Sequence, residues 1–178
     1  MNLPNRLTVA RVALIPVMVI LMYVGGTVCN LLAAAVFGLA AFTDFLDGHI
    51  ARSRGIVTDL GKFLDPVADK LLTLSAFIML IQQGLMPAWA TVIILARELC
   101  VDGLRMVAVT KGQVIAAGKL GKIKTTLQII AIVLLLLNNF PFVYIGIPMD
   151  KIVLAAAVVM TVWSGADYIV KNRRILKD

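Results

Sequence analysis

The chain has 178 residues, of which 61% are hydrophobic and only 15% charged, and its mean hydropathy is +0.96. A soluble domain of ordinary composition does not carry this much apolar surface, so the sequence predicts an integral membrane protein with one domain over residues 1–178. The net charge of +7 would suit nucleic acid, but we find no nucleic-acid-binding motif, and basic residues in membrane proteins more often mark topology. We therefore expect membrane lipids, and no nucleic acid, among its partners.

Six apolar segments approach the roughly 20 residues that a helix needs to cross a bilayer. They cover residues 7–24, 29–45, 63–82, 87–109, 125–137 and 151–170. The second and fifth are short, and they reach the required length only if their polar ends belong to the helices. Gly25 and Gly26 are predicted to end the first helix, and Asn138, Asn139 and Pro141 the fifth. The sequence thus predicts an all-α integral membrane fold, a bundle of six transmembrane helices.

The basic residues are distributed unevenly between the two sides of this bundle. Six spans put both termini on one side, and the loops of the opposite side carry only Lys151. By the positive-inside rule, the side rich in cations faces the cytoplasm. We therefore expect a multi-pass protein of the cell membrane with both termini cytoplasmic. The basic residues on this side are Arg6, Arg11, Arg52, Arg54, Lys62, Lys111, Lys119, Lys122, Lys124, Lys171, Arg173, Arg174 and Lys177.

Carboxylates interrupt the apolar sequence on both sides of the second cytoplasmic loop. Asp44 and Asp47 are three residues apart, and Asp65 and Asp69 are four apart, so on helices each pair projects from one face. If the two faces meet, four carboxylates lie together near the cytoplasmic surface. Because such anions repel one another in a low dielectric, the group requires cations, protons or both. Hard oxygen ligands favour Mg²⁺ or Mn²⁺.

Acidic residues in membrane helices are also typical of cation-coupled or proton-coupled transporters. A transporter of this kind would carry its acids near the bilayer midplane, on broken helices related by an internal repeat. Here the acids cluster at one interface, and the sequence has no visible repeat. The transporter remains an alternative that this pattern disfavours.

The segment from Asp44 to Asp69 resembles the signature of the CDP-alcohol phosphotransferase family, D-x-x-D-G-x-x-A-R-x8-G-x-x-x-D-x-x-x-D. All eight fixed positions are met within 26 residues. The resemblance implies that the four aspartates hold two divalent metals, Mg²⁺ or Mn²⁺, with Asp44 and Asp65 bridging both, and that Asp69 is also the catalytic base. It further implies a homodimer and CDP-diacylglycerol as donor, and the predicted topology places the active site on the cytosolic side. The residues expected to contact the CDP group are Gly48, Arg52, Thr58, Pro4 and Asn5.

A second set of residues resembles the branch of the family that makes phosphatidylglycerophosphate. This set comprises residues 96–99 and 103–105 in the fourth segment and residues 118–125 before the fifth. Charges in the fourth segment would be costly facing lipid, so we expect them to face the bundle interior. The resemblance implies sn-glycerol 3-phosphate as acceptor, with inositol phosphate or serine as alternatives. The expected phosphate-binding residues are Arg105, Lys122, Arg97 and Lys119, with Glu98 paired to Arg97; topology anchoring alone is the alternative for Lys119, Lys122 and Lys124.

Overall fold

The computed structural model describes residues 3–54, 59–112, 115 and 118–173, and their side chains except those of residues 3–7, 44–54 and 59–66. Within these ranges the chain forms six α-helices, one short 3-10 helix and no strand. Each predicted apolar segment corresponds to one α-helix, so the all-α prediction is confirmed. The elements are α1 (Leu3–Val24), α2 (Thr27–Arg54), α3 (Asp59–Gln82), α4 (Ala88–Thr110), α5 (Lys119–Leu136), the 3-10 helix (Phe142–Ile145) and α6 (Met149–Lys171).

Several helices extend further into polar sequence than their apolar segments do. The second helix continues through its charged end to Arg54, and the fifth begins at Lys119 rather than at Thr125. The third begins at Asp59, four residues before its predicted apolar segment 63–82. An acidic residue at a helix start is favoured by the helix dipole, which is consistent with the earlier start. Hydropathy alone had placed these boundaries where the apolar residues begin.

Residues Met1–Met86 and Ile132–Pro141 form one compact unit. In it, α1 packs against both α2 and α3, and α2 also contacts α3. Buried positions recur every three or four residues along each helix, as expected for helices that pack on one another. The buried face of α1 is formed by Thr8, Arg11, Ile15, Met18 and Met22, and that of α2 includes Asn30, Ala33, Phe37 and Ala40.

The burial of Arg11 departs from the role that the charge distribution suggested for it. Its side chain is fully buried on α1, between Thr8 and Ile15 on the face that packs against the neighbouring helices. A topology-marking cation would lie among the lipid headgroups instead. Arg11 is therefore part of the interior of the unit rather than a surface anchor.

At the opposite end of this unit, the three helices are joined by short turns and side-chain amides. Gly25 and Gly26 end α1 with positive φ angles of 70° and 85°, a conformation that glycine adopts without steric cost. Gln83, which directly follows α3, donates from Nε2 to the Met22 carbonyl oxygen at 2.6 Å and to Asn30 Oδ1 at 3.0 Å. These bonds fix the end of α3 against α1 and α2.

Residues Pro87–Ala131 and Phe142–Asp178 form a second compact unit, in which α4 packs against α6. The buried face of α4 includes Ala90, Ile94, Val101, Leu104 and Ala108. The buried face of α6 includes Leu154, Ala157, Thr161, Ser164, Gly165 and Tyr168. Position 97 lies between Ile94 and Val101 on the α4 face, so an arginine occupies a place where the helix spacing calls for a core residue.

Within the described part of the chain, one helix is long and apolar enough to cross a membrane by length and composition, namely Met149–Lys171. The stretches Thr8–Val24 and Thr27–Thr43 are apolar but shorter. The helical, apolar chain is consistent with a membrane bundle, whereas six spans and cytoplasmic termini stay predictions.

Candidate active site

The four predicted metal ligands lie on two helices that contact each other. Asp44 and Asp47 are on α2, and Asp65 and Asp69 are on α3. Only four residues, 55–58, separate Arg54 at the end of α2 from Asp59 at the start of α3. At 1.5 Å per residue, positions 44 and 69 are both about 15 Å from those helix ends, and positions 47 and 65 about 10 Å. The two pairs therefore lie at matching distances from the adjoining ends of their helices.

Of these four residues, only Asp69 has a described side chain. It is half-buried, and its backbone oxygen accepts a hydrogen bond from Thr73 Oγ1 at 3.1 Å. Among the described side chains, no three carboxylate, imidazole or thiol groups are placed to hold a metal, but three of the four predicted ligands are not among them. The four-aspartate site consequently stays a prediction that the helix positions support.

The predicted CDP-binding residues fall outside the described side chains. Gly48 and Arg52 lie on α2, and Pro4 and Asn5 lie in the first turn of α1. Thr58 lies outside the described residues. Their contacts with the donor stay predictions based on the family signature.

The second unit contains a charged cluster formed by Arg97, Glu98 and Lys124. Arg97 Nη1 lies 3.6 Å from Glu98 Oε2, and Lys124 Nζ donates to Glu98 Oε1. The three side chains are mostly buried, with exposed fractions of 13% for Arg97, 21% for Glu98 and 6% for Lys124. Two cations share one carboxylate, so the cluster carries a formal charge of +1. Such a cluster is suited to bind an anion, because an additional negative group would balance its charge.

Arg105 lies further along α4 and is held by an aromatic side chain of α6. Its Nε donates to the hydroxyl oxygen of Tyr168 at 3.1 Å, and the guanidinium carbon lies 5.5 Å from the ring centroid. The hydrogen bond uses Nε and leaves the two terminal amino groups, which can bind a phosphate in a bidentate manner. Tyr168 thus orients Arg105 without occupying that end of the guanidinium.

Lys119 and Lys122, the other predicted phosphate-binding residues, are exposed on the first turns of α5. Lys124, only two residues further along, is buried. Two residues correspond to more than half a turn, so Lys122 and Lys124 point to different sides of the helix. The structure brings Lys124, and not Lys122, to Glu98; contact of Lys119 and Lys122 with an acceptor stays a prediction.

The family model of CDP-alcohol phosphatidyltransferases matches residues 1–163 of the chain. The chain belongs to this family. The resemblance inferred from the aspartate signature is thereby confirmed, and an enzyme is favoured over a transporter. Enzymes of this family generally depend on divalent cations, whereas the number and identity of the metals here, and the homodimer, stay predictions.

The chain is similar over nearly its whole length to several bacterial members of the CDP-alcohol phosphatidyltransferase family. It is 47% identical to CDP-diacylglycerol–glycerol-3-phosphate 3-phosphatidyltransferase of Bacillus subtilis, over 99% of this chain and 97% of the relative. The proteins of the same name from Rickettsia typhi and Pseudomonas fluorescens are 39% and 36% identical, covering 94% and 95% of this chain and 94% and 89% of the relative.

Two contacts of this CDP-alcohol phosphatidyltransferase were missed, namely that of Lys124 with Glu98 and that of Tyr168 with Arg105. Lys124 had been treated as one member of a basic run, with topology anchoring as the alternative. The sequence spacing indicates that Lys124 faces inwards. Residues 121, 124, 128 and 131 are separated by three or four positions, so they lie on one face of a helix. Gln128 on this face donates from Nε2 to Thr161 Oγ1 at 3.2 Å, so the polar stripe continues towards α6.

Asp167, near the end of α6, forms an ion pair within its own helix. Its Oδ2 accepts a hydrogen bond from Lys171 Nζ at 2.8 Å, one turn further along α6. This ion pair lies on the exposed side of α6 and is separate from the cluster around Glu98.

Proposed function

We propose that this CDP-alcohol phosphatidyltransferase transfers the phosphatidyl group of CDP-diacylglycerol to sn-glycerol 3-phosphate, forming phosphatidylglycerophosphate and releasing CMP. The proposal is supported by the names of relatives that match nearly the full chain. The structural observation that carries the choice of acceptor is the cluster of Arg97, Glu98 and Lys124, whose two mostly buried cations share one carboxylate.

The cluster favours an acceptor that brings its own negative charge. A buried excess cation is costly in a medium of low dielectric, and a bound phosphate would offset that cost. The other charged residues of α4 are Asp102 and Arg105, whose charges are opposite. Adding them to the cluster therefore leaves its formal charge at +1. Serine, which is zwitterionic, would leave this surplus in place. A phosphate-bearing acceptor therefore fits the charges of α4 and α5 best.

On the donor side, Asp69 is the proposed general base, and Asp44, Asp47, Asp65 and Asp69 are the proposed metal ligands. This proposal is supported by the matching distances of these positions from the adjoining ends of two helices that contact each other. When bound, divalent cations would neutralise the diphosphate and the departing CMP. Asp69 would accept the proton of the acceptor hydroxyl as its oxygen bonds to the phosphorus that bears diacylglycerol. The bond from that phosphorus to the CMP oxygen then breaks.

The acceptor can be tested with purified protein in detergent, by measuring CMP release from CDP-diacylglycerol in the presence of Mg²⁺. We expect turnover with sn-glycerol 3-phosphate and at least about 100-fold lower kcat/KM with serine or inositol phosphate, since a missing or misplaced phosphate leaves the surplus positive charge of the cluster unbalanced. Glycerol is the matched control, because it lacks only the phosphate. Equal turnover with glycerol, or turnover with serine alone, would overturn the assignment.

We also propose that the active site and both termini face the cytoplasm, as the distribution of cations predicts. Single cysteines introduced by Tyr144→Cys, between α5 and α6, and Asn172→Cys, after α6, test this orientation in a background in which Cys29 and Cys100 are serine. In intact cells, a membrane-impermeant maleimide should label Tyr144→Cys, and it should label Asn172→Cys only after the membrane is opened. The reverse labelling pattern would place the active site outside.

A further inference from the structure

Arg97 crosses the surface of α6 at a glycine. Position 97 lies on the buried face of α4, and Gly165 lies on the buried face of α6 that packs against it. A methyl group built on Gly165 would lie 2.8 Å from Cγ of Arg97 and 3.7 Å from its Nε. Because carbon atoms are not found this close, the stem of Arg97 follows its present path only while residue 165 has no side chain.

The other end of Arg97 is held by different residues of the same unit. Nη2 passes 3.9 Å from the place where a methyl group on Gly121 of α5 would lie, which is ordinary van der Waals distance. Nη1 faces Glu98, whose second oxygen is held by Lys124. The aliphatic part of Arg97 is therefore constrained by Gly165, and its guanidinium by Glu98. If residue 165 displaces the aliphatic part, the guanidinium has to move as well.

The Nε atom of Arg97 is buried and has no hydrogen-bond partner within the described part of the chain. A buried donor without a partner is unfavourable, so its presence calls for a reason beyond packing. The path across Gly165 supplies one, because it brings the guanidinium of Arg97 to Glu98 and Gly121.

We propose that Gly165 is a positioning residue for the acceptor: by lacking a side chain, it sets the path of Arg97 and so aims the guanidinium at the acceptor's phosphate. This inference rests on the proposed function, in which Arg97 binds that phosphate. It differs from a role in helix packing alone, because it predicts an effect on one substrate and not on the other.

The test is Gly165→Ala, with Gly38→Ala as the matched control. Gly38 also lies inside a helix, and a methyl group there meets nothing within 4 Å. For Gly165→Ala we expect KM for sn-glycerol 3-phosphate to rise about tenfold or more, with KM for CDP-diacylglycerol changed less than twofold. Gly38→Ala should leave both KM values unchanged. If Gly165→Ala leaves KM for sn-glycerol 3-phosphate unchanged, or raises both KM values equally, the positioning role is wrong.

A double variant tests whether the effect passes through Arg97. Arg97→Ala removes Cγ, so adding Gly165→Ala in that background should change neither KM nor the melting temperature in detergent. The melting temperature provides the readout if Arg97→Ala turns over too slowly to assay, because Gly165→Ala should lower it only while Arg97 is present. An equal loss in both backgrounds would show that Gly165 acts independently of Arg97. Wild-type protein that does not use sn-glycerol 3-phosphate would instead refute the proposed function itself.

Discussion

Glu98→Gln is expected to destabilise the protein by about 3–5 kcal/mol, the cost typical of removing one partner from a buried ion pair. The substitution preserves shape but leaves Arg97 and Lys124, both mostly buried, without the carboxylate that they share. The measurement is the free energy or midpoint of unfolding of the protein in detergent. Asp167→Asn is the matched control, because its pair with Lys171 is exposed and should contribute less than about 1 kcal/mol.

The double variant Glu98→Gln/Lys124→Gln should recover part of this loss, since it removes one of the two cations left unbalanced. A non-additive result of this kind is the signature of residues that interact directly. If Glu98→Gln and Asp167→Asn shift the unfolding midpoint equally, the cluster is not the buried ionic group that its geometry indicates.

Asp69→Asn is expected to reduce CMP release by about 10²–10⁴-fold, the range typical of losing a general base. Asparagine has nearly the same shape, so α3 should fold as before and the melting temperature should change little. The rate of CMP release from CDP-diacylglycerol with sn-glycerol 3-phosphate is the measurement. Asp59→Asn is the control: Asp59 begins the same helix but is not one of the fixed positions of the signature, and asparagine suits a helix start as well as aspartate does.

The dependence on Mg²⁺ separates two ways in which Asp69 could act. A base that is lost is not replaced by more metal, so the activity of Asp69→Asn should stay low at every Mg²⁺ concentration. Recovery to the wild-type rate at high Mg²⁺ would mean that Asp69 serves only as a ligand. If Asp69→Asn has wild-type activity at every Mg²⁺ concentration, Asp69 is not part of the active site.

The six α-helices of the described ranges could be predicted from the sequence because each apolar run approaches the length of a membrane span and is separated from the next by glycine, proline, asparagine or charge. The ends of α2 and α5 could not, since both helices continue through polar residues that a hydropathy pattern assigns to loops. The family was predicted correctly because the signature spans two helices with fixed spacing. That spacing is a local property of the chain, and no packing information is needed to read it.

The burial of individual cations was beyond the reach of the same reasoning. Arg11 was grouped with the surface charges because it lies near the start of its helix. Lys124 was grouped with them because Lys119 and Lys122 precede it in the sequence. Which of Lys122 and Lys124 faces inwards depends on the rotation of α5, and this could not be assigned while the helix was thought to start at Thr125. The approach of Arg97 to Gly165 depends on how α4 and α6 pack, which involves residues far apart in the sequence.

The division of the chain into two compact units separates the residues assigned to the two substrates. The aspartate signature lies in the first unit, whereas Arg97, Glu98, Lys124 and Gly165 all lie in the second. Under the proposed assignments, substitutions in the second unit can change which alcohol is recognised without altering the residues proposed to hold the metals.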